Sequence, residues 1–315
     1  YSSAVTGDTT LAGALTKAGT GPWTLDKNLG GGFAPTSTTI VDGTLALSGA
    51  GSLGSSSSLN LSGSSASLDI STANAGQTVS TCAGVTGSQI HLGANQLSFG
   101  DNSNQSFAGR IDGSGGITKT GAGTQTLSGT NSYTGTTTIS AGTLQLGDGT
   151  VTGQSSIAGN IANNGALVIN NLSATTLAGK ISGTGTLTQQ GTGTTTLTST
   201  ANNYTGATQV AQGTLQAGAT NTFSSSSAYT VATGATLDLA GYNQTLASLN
   251  NSGMVKLSSN GGGTPGTVLK VTGAYVGNGG TLGLSTVLAA DGSATDKLLL
   301  SGSNAVASGS TIIQI

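Results

Sequence analysis

A single histidine, His91, and a single cysteine, Cys82, are the side chains of this 315-residue sequence best suited to nucleophilic or acid–base chemistry. A serine–histidine–aspartate triad would need His91 as its base. Serine is plentiful, but no Gly-x-Ser-x-Gly elbow opens a helix. Cys82 and His91 could form a thiol–imidazole pair, yet neither is flanked by a helix N-terminus or basic cluster that would lower the thiol pKa. Both read as filler side chains. Sugar cleavage would need two carboxyls roughly 5–10 Å apart. Asp291 and Asp296 are the pair that could converge, and both sit in turn-type sequence where aspartate has a structural use. Asp101 and Asp112 flank a stretch carrying Phe107 and Arg110, the other place where a cleft could form. Leu146-Gly147-Asp148-Gly149 lacks the repeated nonapeptide of calcium-loaded β-rolls, and no phosphate loop or metal-ligand spacing occurs. The sequon Asn60-Leu61-Ser62 is expected by chance in a chain rich in Asn and Ser. No catalytic, cofactor or metal residue is therefore assigned, no cofactor is expected, and the ligand-binding residues stay unknown.

The elements that would position such groups are short strands. Glycine accounts for 54 residues, charged residues for only 6% and aromatics for 3%, where charged residues usually make up about 25%. Met and Trp occur once each, so a thick core is not available and a thin one filled by Leu, Ile, Val, Ala and Thr is. Disorder is excluded, because disordered chains combine low hydrophobicity with high net charge and abundant proline. Here the net charge is −2, Pro is 3 and 35% of residues are hydrophobic. All ten acidic residues are aspartate, a turn former rather than a helix former. Seven lysines and one arginine make no basic stripe, which excludes nucleic acid as a partner. No run approaches the ~20 apolar residues of a membrane helix. One cysteine rules out an internal disulfide framework.

Repeats organise the chain. From Gly113 to Gly147 the sequence runs Gly-Ser-Gly-Gly-Ile-Thr-Lys-Thr-Gly-Ala-Gly-Thr-Gln-Thr-Leu, then Asn131-Ser-Tyr133-Thr-Gly135, and closes on Gly142-Thr-Leu-Gln-Leu. A second copy spans 183–218, with Gln189 in place of the lysine, Tyr204 in place of Tyr133, and the closing Gly213-Thr-Leu-Gln. A degenerate copy covers 13–48. Within each copy apolar and polar residues alternate with period two over three to six residues, bounded by Gly, Asn or Ser. Strands that short are stable only when stacked rung on rung. At roughly 20–25 residues per rung the chain would make about 12–15 rungs, a parallel β-solenoid. After about residue 261 the strands lengthen, as in Val268-Leu269-Lys270-Val271, and 261–315 is expected to cap the stalk formed by 1–260. The N-terminal end shows no cap, and Thr311 to Ile315 stops inside a strand pattern, so the chain is expected to continue at both ends.

The Gly-x-Gly-x-Ile/Leu-Thr-Lys-x-Gly-x-Gly-Thr…Asn-x-Tyr-x-Gly…Gly-Thr-Leu pattern, carried by Gly115 to Gly147 and with departures by 183–218 and 13–48, resembles the passenger-associated transport repeat of bacterial autotransporters. Gly280-Thr-Leu-Gly-Leu through Asp296-Lys-Leu-Leu is similar to the pertactin-like module that precedes the outer-membrane barrel. The resemblance implies an all-β, right-handed parallel β-helix exported through the periplasm and outer membrane to the cell surface by its own C-terminal barrel, with a C-terminal segment that assists folding. Scarce cysteine suits passage through a pore.

Two function classes compete, neither of them enzymatic. One is a structural and adhesive stalk whose Thr, Ser and Asn faces meet a host surface or the identical passenger on a neighbouring cell. The other is a secreted effector for one host receptor, which needs an aromatic or arginine hot spot, for which Tyr133, Tyr204, Tyr229 and Tyr242 are the raw material if exposed. An inert spacer for an upstream hydrolase is a third, minor reading.

Overall fold

The protein is described from a computed structural model, in which residues 3–4, 13–26, 35–54, 57–150, 154–258, 265–287 and 292–315 are placed. Every regular element among these residues is a β-strand, and the strands stack in parallel as a β-solenoid of about 11 turns. The chain divides into two units, residues 1–165 and 166–315.

Three parallel sheets build the first unit. One is formed by Trp23–Leu25, Thr44–Gly49, Ser67–Ala73, Gln89–His91 and Arg110–Asp112. A second joins Gln77–Val79, Leu97–Phe99, Ile117–Lys119, Thr137–Ile139 and Ile161–Asn163. The third runs from Ala14–Lys17 through Ser37–Ile40, Ser58–Leu61, Thr81–Gly84, Gln105–Phe107 and Thr124–Leu127 to Thr143–Leu146. Partner positions recur at short intervals: Leu97 pairs with Ile117 and Ile117 with Thr137, 20 residues each time (117 − 97; 137 − 117).

Alternation in the sequence becomes alternation of faces. Thr143-Leu144-Gln145-Leu146 buries both leucines and leaves Thr143 and Gln145 half-buried outside. In-register pairing then aligns like with like, so Leu45, Leu68, Ile90 and Ile111 form one continuous buried ladder. Each such aliphatic side chain contributes ~1.5–3 kcal/mol on burial. A thin aliphatic cylinder therefore suffices without the bulky core the composition lacks. The glycine of each Gly-Thr-Leu close has a backbone reason. Gly43, Gly142 and Gly213 sit at φ of 66°, 66° and 60°, where side chains are strained. A Cβ there would also lie within 2.6, 2.4 and 2.4 Å of a carbonyl oxygen on the rung before.

In the second unit two sheets run through the whole stack. Ala166–Ile169, Thr186–Gln189, Thr208–Val210, Ala228–Val231 and Ser248–Asn251 form one. Thr175–Leu177, Thr194–Leu197, Thr214–Ala217, Thr236–Asp238 and Met254–Lys256 form the other. The long strand Tyr275–Gly283 continues both, pairing with Ser248–Asn251 at one end and Met254–Lys256 at the other. Rungs lengthen here. Tyr229 to Leu249 is 20 residues (249 − 229), Leu249 to Tyr275 is 26 (275 − 249) and Tyr275 to Ala307 is 32 (307 − 275). The turns number about 11, fewer than the 12–15 expected from a constant repeat length. The final strand, Ala307–Gln314, is almost wholly exposed, with Ile312 and Ile313 among its solvent-facing residues.

Candidate functional site

The residues that define the repeat turn inward and hold rungs together. Lys17 and Lys119 are buried, and each folds its ammonium back under the turn that follows. Lys17 Nζ donates to the carbonyls of Gly19 at 2.6 Å and Asp42 at 2.8 Å. Lys119 Nζ donates to Thr120, Gly121 and Ala141, the last on the next rung. Desolvation lowers the Lys119 pKa, with nearby Asp101 opposing the shift. Gln189, which departs from the repeat pattern, does the same work without charge. Its Nε2 donates to Gly191 O at 2.7 Å and Gly193 O at 3.1 Å, while Oε1 accepts from Thr195 Oγ1. Lys119→Gln is accordingly expected to shift stability by less than about 1 kcal/mol. Lys119→Met, which removes every donor, should cost roughly 2 kcal/mol, read as a lower urea midpoint.

The Asn-x-Tyr-x-Gly centre is equally internal. Asn131 Oδ1 accepts from Ile111 N at 3.1 Å and Asn202 Oδ1 from Ile181 N at 2.6 Å, so each asparagine ties its rung to the one before. Tyr133 OH pairs with Thr137 Oγ1 at 2.7 Å, and Tyr204 OH with Thr208 Oγ1 at 2.8 Å. Tyr204 also meets Tyr229 OH at 3.3 Å. This corrects the reading of the four tyrosines as exposed raw material for a hot spot. Tyr133, Tyr204 and Tyr229 are buried, and Tyr242 alone of the four is exposed, at 41%. The signal was present in sequence: a threonine stands four positions after each repeat tyrosine, placed to satisfy its hydroxyl.

Of the residues weighed for chemistry, Cys82 is fully buried and desolvation pushes its thiol up to about 12, which leaves it unreactive. His91 faces outward, away from Cys82, with Nδ1 2.8 Å from Asp112 Oδ1. Strand register sets Asp69 and Asp112 on either side of it, one rung below and one above. Arg110 Nε lies 3.4 Å from the other Asp112 oxygen, and its guanidinium donates to Ser132 Oγ. The His91 hydrogen bond and the Arg110 ion pair thus meet on the one carboxylate of Asp112. No hydroxyl is bonded to the second His91 nitrogen among the described residues. Asp101 is occupied within its own turn by Ser103 N and Oγ, which hold its carboxyl below the ordinary value, the side-chain bond most. Phe107 packs inside. Asp101 and Asp112 therefore do not form a shared cleft, and the groove at Arg110 runs instead toward Asp148. Asp291 lies outside the described residues. Asp296 is buried and fully engaged: Oδ1 accepts from Ser258 Oγ, Gly266 N and Thr267 N, and Oδ2 from Ser285 N. Among the described residues no cluster of His, Cys, Asp or Glu could hold a metal ion.

The passenger-associated transport repeat matches residues 117–146 and 187–217, and autochaperone domain type 1 matches residues 244–315. These matches support an autotransporter passenger domain. Passengers of this kind are exported to the cell surface or extracellular space, and their partner domain is an outer-membrane barrel. The passenger is 31% identical over 169 residues to "Uncharacterized protein YuaQ" of Escherichia coli (strain K12), a match covering 53% of this chain and 12% of that protein. No solved structure matches it. The autochaperone match contains the lengthened rungs and the Asp296 knot.

Proposed function

We propose that this passenger is a structural and adhesive stalk that meets a host surface or the same passenger on a neighbouring cell. The observation that supports the reading is the outward face of most strands, which is polar, carries few charges and is in register. Thr16, Thr39 and Asn60 stack on one face of the first unit, and Thr196, Gln216 and Asp238 on one face of the second. Neighbouring ladder members bond each other, as in Thr196 Oγ1 to Gln216 Oε1 at 3.2 Å and Gln216 Nε2 to Asp238 Oδ2 at 3.1 Å. Such faces offer many weak hydrogen bonds, each worth ~0.5–1.5 kcal/mol, to a matching surface. Burial of three tyrosines removes most of the material for a receptor hot spot, which favours the stalk over a dedicated effector. Residues 261–315 serve in this reading as the terminal folding module. Sedimentation velocity of the purified chain, with retention on host-like cells against a scrambled-surface control, tests it. Concentration-dependent dimers or broad retention are expected; a strict monomer that is retained nowhere would overturn the proposal.

A further inference from the structure

Charge is so scarce in this chain that its placement carries information. The one histidine and the one arginine converge on Asp112, and Arg110 also forms a wall of an open groove in the first unit. The groove has a volume of about 320 Å³, within the roughly 300–1,000 Å³ of ordinary ligand sites. Three other depressions of comparable size, beside Gly51, Gly253 and Gly283, have no charged side chain in their walls.

Four successive rungs make the groove. Its floor is backbone, because the rungs approach too closely for side chains. A Cβ at Gly109 would lie 2.4 Å from Ser88 O, and one at Gly129 would lie 1.9 Å from Gly109 O. Gln89 and Arg110, directly paired in the strand register, stand along the walls with Thr130 and Asp148. Three rung spacings of ~4.8 Å give it a length of about 14 Å. The Arg110 side chain is 55% exposed, so its guanidinium has donors left after Asp112 and Ser132.

The balance of these groups selects the ligand. An anion is disfavoured, since Asp69, Asp112 and Asp148 outnumber the one fixed cation. Nucleic acid is disfavoured for the same reason. A peptide chain wants pockets for its side chains, and Ala108 is the only apolar side chain in the lining. What remains is a ligand that donates and accepts at each step along its length. A sugar hydroxyl does both: it can accept from Arg110 or Gln89 and donate to Asp148, whose Oδ1 also accepts from Thr150 N and Oγ1 within its own turn. We propose that the groove over Gly109 and Gly129 binds a short run of a neutral polysaccharide. The proposal rests on the adhesive reading and names its ligand class. Without an aromatic platform a single site is weak, in the millimolar range, and many copies on one surface would supply the avidity.

The test is titration of the isotopically labelled chain with a neutral linear hexose tetrasaccharide, beside a sulfated and a carboxylated analogue, followed by amide chemical shifts. Shifts confined to Gln89, Gly109, Arg110, Gly129 and Thr130 are expected. Arg110→Ala and Asp148→Ala should each weaken binding roughly tenfold, the loss of one charge-assisted hydrogen bond. Both side chains are outside the core, and unchanged urea midpoints would show the variants folded. No shift at high millimolar sugar, shifts elsewhere, or tighter binding of the sulfated analogue would each overturn the proposal. Sedimentation and cell retention of the same samples separate the two readings. Self-association or retention without sugar binding sinks the groove alone; sugar binding by a monomer retained nowhere sinks the stalk.

Discussion

Asp296→Ala is expected to lower the stability of the second unit by about 3–5 kcal/mol. The carboxylate is buried and accepts four hydrogen bonds, three of them from backbone amides. Those amides belong to two segments, Gly266–Thr267 and Ser285, and with the Ser258 hydroxyl they bring three stretches of the chain onto one side chain. Alanine would orphan all of them at once. Asparagine keeps one acceptor oxygen and should fall between. Hydrogen exchange at Gly266, Thr267 and Ser285 gives the check: faster exchange there, ahead of amides in the 186–231 strands, is the expected pattern. Unchanged protection at those three amides would show that the carboxylate is dispensable.

The second large effect belongs to the repeat tyrosines. Tyr204→Ala empties a fully buried position and deprives Thr208 and Tyr229 of a hydroxyl partner, which should cost about 3–5 kcal/mol. Tyr204→Phe keeps the ring and should cost about 1–2 kcal/mol. Both are measurable as urea midpoints, and equal midpoints for the two variants would refute the role given to the ring. Burial also raises the pKa of Tyr133, Tyr204 and Tyr229 above the ordinary phenol value. A proton held more tightly in the folded state stabilises it fully below about pH 10, where the unfolded phenol begins to ionise, and that contribution is lost as pH rises toward the raised values. The wild type should therefore lose stability steeply above about pH 10, and Tyr204→Phe less so.

Much of this architecture was legible because the strand period and the glycine punctuation are local signals. Ile117-Thr-Lys119 and Thr143-Leu-Gln-Leu146 are the strands the alternation indicates. Side chains that alternation assigns no face to were harder. Nothing in the spacing of Tyr133 says whether a tyrosine beside Asn and Gly points in or out, and only the threonine four residues on carries the answer. Lys119 was more deceptive, because an ammonium reads as a surface group until a turn supplies three carbonyls to receive it. The ladder Asp69–His91–Asp112 could not be seen at all. It depends on register between strands 22 and 21 residues apart (91 − 69; 112 − 91), and rung length varies enough along this chain to hide such alignments.

That same spacing bears on how the molecule reaches its fold. Because strands pair with partners mostly about 20 residues away, the loop that must close to add a rung is short, and closure entropy grows only slowly with loop length. Contacts this local favour rapid folding for a β-protein, whose pairings are ordinarily distant in sequence. A finished rung presents the next stretch of chain with a complete template, and the remainder can stay unfolded meanwhile. Growth of the stack is thus a zipper, and its slowest steps should fall at the 26- and 32-residue rungs, where the largest loops close.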